Sequence, residues 1–164
     1  MPFGRPSELA TDTAGTYEVL LHALNYYEQQ GKTYDVVILL QNTSPFRTPE
    51  QVKEALALYN SNLDMVVSVK ECSANPYYSV FEENTEGFLN ICKGNGNITR
   101  RQDAPKVYEY NGAIYVINPK SLKEMPLYKF TKRIKYVMDE KSSLDLDTMN
   151  DWHMAELLIS KSSL

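Results

Sequence analysis

Cysteine is scarce in this chain: Cys72 and Cys92 are the only two among 164 residues, and neither has metal-ligand or redox spacing. Two unpaired thiols fit a reducing compartment and exclude a disulfide scaffold. Histidine is as rare, and His22 and His153 have no partner at ligand or triad spacing, so both read as structural. The single Trp152 reads as a packing residue. No apolar run approaches the roughly 20 residues that a membrane-crossing helix needs. The first six residues carry no apolar core of the kind found in secretion signals. Positive charge is short as well. The formal net charge is −4 and no Lys/Arg-rich run occurs, which argues against nucleic acid, whose phosphate backbone asks for a basic stripe. These absences predict a cytoplasmic protein with neither a membrane nor a nucleic-acid partner.

What is present suits one globular domain over 1–164, with 43% hydrophobic residues and length enough for a sizeable core. Val19, Leu20, Ala23, Leu24 and Tyr27 recur at helical spacing, predicting a helix over 16–30 that Gly31 stops. The continuous apolar run Val36-Val37-Ile38-Leu39-Leu40 predicts a strand covered on both faces. Thr48, Pro49 and Gln51 form a helix start with a capping box. Strands are expected over 65–69, 113–117 and 134–138, with a hairpin of 77–81 and 87–91. A short helix is expected over 119–124 and a last one over 151–160. Alternating strands and helices predict an α/β domain with a mainly parallel sheet.

In such sheets ligands bind at the carboxyl ends of strands, which selects 41–48, 100–111 and 145–151. Asp145 and Asp147 alternate with Leu144 and Leu146, so an extended backbone puts both carboxylates on one face. Two hard oxygens there suit Mg²⁺; the competing reading is a solvated Asp145 beside a helix cap at Asp147 or Thr148. Arg101, between Arg100 and Gln102, could hold a carboxylate or phosphate, or belong to a plain surface pair. Asn111 and Tyr115 flank an Asn-Gly turn and could meet sugar hydroxyls, or simply make the turn. Gln41 could read a nucleobase edge or cap its loop. The Gly94 to Asn97 loop reads as mobile before it reads as a phosphate cradle.

The order of these segments carries more than any one of them. Arg5-Pro6-Ser7-Glu8-Leu9-Ala10-Thr11-Asp12 leads to His22-Ala23-Leu24. Then come Leu39-Leu40-Gln41-Asn42-Thr43-Ser44-Pro45-Phe46-Arg47-Thr48, Arg101-Gln102-Asp103, Asn111-Gly112-Ala113-Ile114-Tyr115 and Leu144-Asp145-Leu146-Asp147-Thr148. The series closely resembles the acylneuraminate cytidylyltransferases over nearly the whole chain.

The resemblance implies a nucleotide-diphospho-sugar transferase-like (Rossmann-like) fold and reaction of CTP with a nine-carbon acidic sugar. The anomeric hydroxyl attacks the α-phosphorus, giving a CMP-sugar and pyrophosphate. It implies Asp145 and Asp147 as Mg²⁺ ligands and Arg101 as the partner of the sugar carboxylate. Gln102, Asn111 and Tyr115 fall in the sugar pocket, and Arg5, Ala14, Thr16 and Gln41 at cytosine and ribose. It also implies a homodimer whose exchanged segment lies near 119–136, with Tyr128 or Phe130 reaching the neighbour's sugar pocket. Sialic, legionaminic and pseudaminic acids all share the carboxylate and the nine-carbon frame. Family members open on a strand and a Gly/Arg/Ser/Lys-rich loop that grips the triphosphate. Nothing like it precedes Arg5, so the expectation is a domain without its first βα units and with impaired catalysis. The alternative is a non-catalytic binding or oligomerising remnant.

Overall fold

A computed structural model describes residues 4–11 and 15–162. Helix α1 (Thr16–Gln29) ends where Gly31 takes φ 74°, a left-handed stop that glycine adopts at little cost. It leads to β1 (Val37–Leu40), α2 (Pro49–Ala57) and β2 (Met65–Glu71). A small hairpin of β3 (Phe81–Glu83) and β4 (Leu89–Ile91) follows, then β5 (Tyr108–Ile117), α3 (Pro119–Glu124), β6 (Arg133–Val137) and α4 (Met149–Ser162). The capping box at α2 is present: Gln51 N donates to Thr48 Oγ1 at 3.2 Å and Thr48 N to Gln51 Oε1 at 2.9 Å.

The main sheet runs in the order β1-β5-β2-β6. It is mixed, not mainly parallel: β5 pairs antiparallel with both β1 and β2, and only β2 and β6 pair in parallel. The excursion between β2 and β5 contains a hairpin and no α-helix. Without a covering crossover helix the chain returns antiparallel beside β2. β1, β2 and β6 therefore share one direction and β5 alone opposes them. The run 36–40 is also not covered on both faces. β1 is an edge strand, and Ile38 and Leu40 remain 37% and 42% exposed.

Alternate residues of β2 serve opposite layers, as the two-residue period of a strand requires. Val67 and Val69 pack with Leu20, Leu24, Leu122 and Phe130 on one face. Val66 packs with Ala55, Ile114, Val116 and Met138 on the other. Phe130 is thus a core residue of its own chain, only 3% exposed, whereas Tyr128 in the same segment is 77% exposed. Trp152 is not a packing residue either: it stands 53% exposed on α4, its Nε1 donating to Glu156 Oε1. Among the described residues no helix is long and apolar enough to cross a membrane.

Candidate functional site

Three separate elements meet above Gly112. This glycine sits in β5 at φ 74°, where the β2–β5 register slips between Val67 and Val69. A Cβ placed on it would lie 2.6 Å from Gln41 Oε1 and 3.2 Å from Asp145 Oδ2. The bare glycine therefore lets the loop after β1 and the segment before α4 bring two acceptor oxygens to one point. Leu146 N donates to Thr43 O at 2.9 Å, pinning the second segment onto the first. Arg47 Nη1 donates to the carbonyls of Gln41 and Ala113, tying that loop to β5.

Asp145 is half-buried, and its Oδ1 is enclosed without a hydrogen-bond partner among the described residues. Asp147, two residues on, is exposed. Both line a cavity of about 680 Å³ that also takes in Lys70, Glu109, Tyr110 and Met154. Glu140, Lys141 and Asp151 complete its charged wall, so five carboxylates face two lysines. Lys70 is already paired with Glu109 at 3.2 Å. Among the described residues no three His, Cys, Asp or Glu side chains are placed to hold a metal ion together. Thr148 and Asp151 form the cap of α4: Thr148 N and Oγ1 both donate to Asp151 Oδ2 at 2.7 Å. Those bonds, with Lys70 adding a smaller pull, hold the Asp151 carboxyl below its ordinary pKa.

Asn111 is 3% exposed. Its Oδ1 accepts from Ser68 Oγ at 2.6 Å and Ala113 N at 3.2 Å, and its Nδ2 donates to Ser143 Oγ at 2.8 Å. Ser68 Oγ accepts in turn from Ile114 N at 2.7 Å. The amide is thus consumed in binding β2, β5 and the turn before Asp145 together, although the residue also borders the cavity. Tyr115 meets Tyr110 edge-on, with centroids 6.2 Å apart. Burial, foremost, and then Tyr110 and Asp145 push its hydroxyl pKa up.

Arg101 lies outside the large cavity. It lines a cleft of about 220 Å³ with Glu71, Cys72, Asn75 and Glu140, and its Nη2 donates to Ser73 O at 3.1 Å. Glu140 lines both spaces, so they adjoin. Gln102 is exposed and lines neither. Arg5, Thr16 and Gln41 line one cleft of about 380 Å³ with Leu20, Leu39 and Asn42. Ala14, the remaining nucleotide candidate, lies outside the described residues. Gln41 therefore joins the cleft of Arg5 and Thr16 to the point where Asp145 arrives. Sequence reasoning overlooked Arg47, Ser68 and Ser143, whose roles depend on partners far along the chain. It offered Thr148 as a cap of the last helix, which the structure bears out, but not its partner Asp151, which the three-residue spacing does signal.

Loops at strand ends of an α/β sheet thus gather carboxylates and a side-chain amide, the kind of place where such sheets bind ligands. No family model matches the chain. It is 30% identical over 164 residues to the CMP-N,N'-diacetyllegionaminic acid synthase of Campylobacter jejuni, covering 99% of this chain and 69% of that protein. It is 35% identical over 150 residues to an N-acylneuraminate cytidylyltransferase of Streptococcus agalactiae, covering 90% of this chain and 35% of the relative. The N-acylneuraminate cytidylyltransferase of Escherichia coli is 31% identical, with 97% of this chain and 37% of the relative covered. The chain belongs to the acylneuraminate cytidylyltransferase family. It spans about a third of the length of the streptococcal and E. coli relatives.

Proposed function

We propose that this chain carries a cytidylyltransferase site that couples CTP to a nine-carbon acidic sugar, releasing pyrophosphate and forming a CMP-sugar. The observation that carries the reading is the convergence of Gln41 and Asp145 above Gly112 in a chain of this family. Arg5, Thr16 and Gln41, which share a cleft, would hold the cytidine, together with Ala14. Arg101 in the adjoining cleft would take the sugar carboxylate, with Gln102 nearby. Tyr115, its pKa raised, stays protonated at neutral pH and can donate to a sugar oxygen. Asn111 serves the adjoining large cavity from beneath, by holding Ser143 in its wall.

The residues present fit Mg²⁺. Asp145 Oδ1 is enclosed without a donor, and a cavity wall with an excess of carboxylates would repel a triphosphate unless a cation intervened. Asp145 and Asp147 would hold the ion, exposed Asp147 leaving room for water and phosphate oxygens. When bound, it would offset charge on the phosphates. The protein's own part is to hold the nucleotide at Arg5, Thr16 and Gln41 and the sugar acid at Arg101, in the cleft beside the cavity that Asp145 and Asp147 line. The reading extends to a cytoplasmic homodimer in which the exposed Tyr128 meets the neighbouring subunit.

Titration of the chain with CMP, with and without magnesium, tests the reading. Binding that magnesium strengthens, with that magnesium effect lost in Asp145→Asn, is expected; nucleotide binding indifferent to both would refute it. A pyrophosphate-release assay with CTP and sialic, legionaminic or pseudaminic acid then names the sugar.

A further inference from the structure

Arg47 lines none of the three clefts, yet it is tied to two sides of the site. Its Nη1 donates to the carbonyl of Gln41 and to that of Ala113, 66 residues away. The guanidinium is half-buried, and that burial lowers its pKa. Among the described residues no carboxylate pairs with it. A partly desolvated charge with only carbonyl partners is costly, and an apolar side chain of similar length would avoid that cost. What an apolar side chain cannot do is bind two carbonyls of separate elements through one nitrogen. The two carbonyls belong to the residue that carries the Gln41 amide and to the residue just after Gly112.

We infer that Arg47 is a positioning residue: it locks the Gln41 loop against the Gly112 turn, so that the Gln41 amide is seated over the bare glycine beside Asp145 and is held in place for a ligand. The role rests on the nucleotide-binding reading of Gln41 and adds to it the group that sets the amide in place. Arg47 acts through Gln41 and touches no ligand itself.

The test is a double-mutant cycle read by calorimetric titration of CMP. Arg47→Met is expected to weaken binding roughly tenfold when Gln41 is present, and by under about twofold in a Gln41→Ala background. Arg47→Lys, which keeps a charged donor, is expected to recover part of the loss. Equal losses in both backgrounds overturn the inference, because the contribution then does not pass through Gln41. Failure of the unmodified chain to bind CMP sinks the functional reading instead, and the brace is then judged without ligand. In that case the Gln41 side-chain amide signals in the NMR spectrum shift and broaden in Arg47→Met, while the Thr48 and Gln51 signals of the α2 cap hold. Unmoved Gln41 signals overturn the inference. Should Arg47→Met not fold, Arg47→Lys carries the same comparison: a shifted Gln41 signal beside an unmoved cap supports the brace, and an unmoved one overturns it.

Discussion

Placing a methyl group on Gly112 asks two separate things of the molecule. The backbone there has φ 74°, a left-handed conformation that costs other residues roughly 1–2 kcal/mol. The methyl carbon would also stand 2.6 Å from Gln41 Oε1 and 3.2 Å from Asp145 Oδ2, so the Gln41 amide must swing aside. That amide is the far end of a flexible side chain, so the fold gives way at the site before it gives way at the backbone. Gly87 supplies the control. It has φ 85° and nothing within 4 Å of the added carbon, which reproduces the backbone cost without the collision. Both Gly112→Ala and Gly87→Ala should therefore lower Tm by a few degrees, at roughly 2–4 °C per kcal/mol for a chain of this size. Only Gly112→Ala should weaken CMP binding, by about tenfold or more if a hydrogen bond to the displaced amide is lost. Thermal melts and calorimetric titration read the two effects separately. Undiminished binding by Gly112→Ala, or an equal loss in Gly87→Ala, would refute the placement of the site.

Asp145→Asn removes a charge whose Oδ1 has no donor, so it should leave Tm equal or higher while ending the magnesium dependence of CMP binding; a clear fall in Tm would reveal a structural partner. Asn111→Ala strips Ser68 and Ser143 of their shared amide and should cost about 1–3 kcal/mol in urea unfolding, a neutral result showing that the network carries no net stability. Asp64 accepts from Lys132 N at 2.9 Å, Ser121 Oγ at 2.7 Å and Thr131 N at 3.0 Å, bonds that hold its pKa below the usual carboxylate value. A depressed folded pKa stabilises above the unfolded value near pH ~3.9, and that contribution is lost as pH falls through the folded one. Asp64→Asn should accordingly flatten the acid limb of the Tm–pH curve, and superimposable acid limbs would rule that contribution out.

The parts of the fold that local chemistry dictates were legible. The Thr48-Pro49-Gln51 helix start and the Gly31 stop need only neighbours within a turn, and both stand where their spacing puts them. The direction of β5 was not legible, since it depends on the excursion over 72–107 lacking a covering helix. Nor was the edge position of β1, because five consecutive apolar residues read alike whether the second face is covered or open. At the site, Asp145, Gln41, Arg5 and Thr16 could be selected from sequence order, but the separation of Arg101 into an adjoining cleft could not. The burial of Asn111 escaped for a similar reason: an Asn-Gly pair looks like a surface turn until the register slip in β5 folds it inward.

Asn111 and Asp145 show how the molecule separates scaffold from site with similar polar groups. Both are partly or wholly enclosed, and a polar group in that position is expected to find partners. Asn111 finds them within the chain: both ends of its amide are engaged, so a ligand would have to break a bond to reach it. Asp145 leaves one oxygen enclosed without a donor and aims the other at bare Gly112. An enclosed polar oxygen without a partner is costly. Under the proposed function that cost would fall when a cation or donor reaches the oxygen, which would favour ligands that bring one. The satisfied amide fixes the wall, and the unsatisfied carboxylate is the group that the proposed function assigns to a ligand.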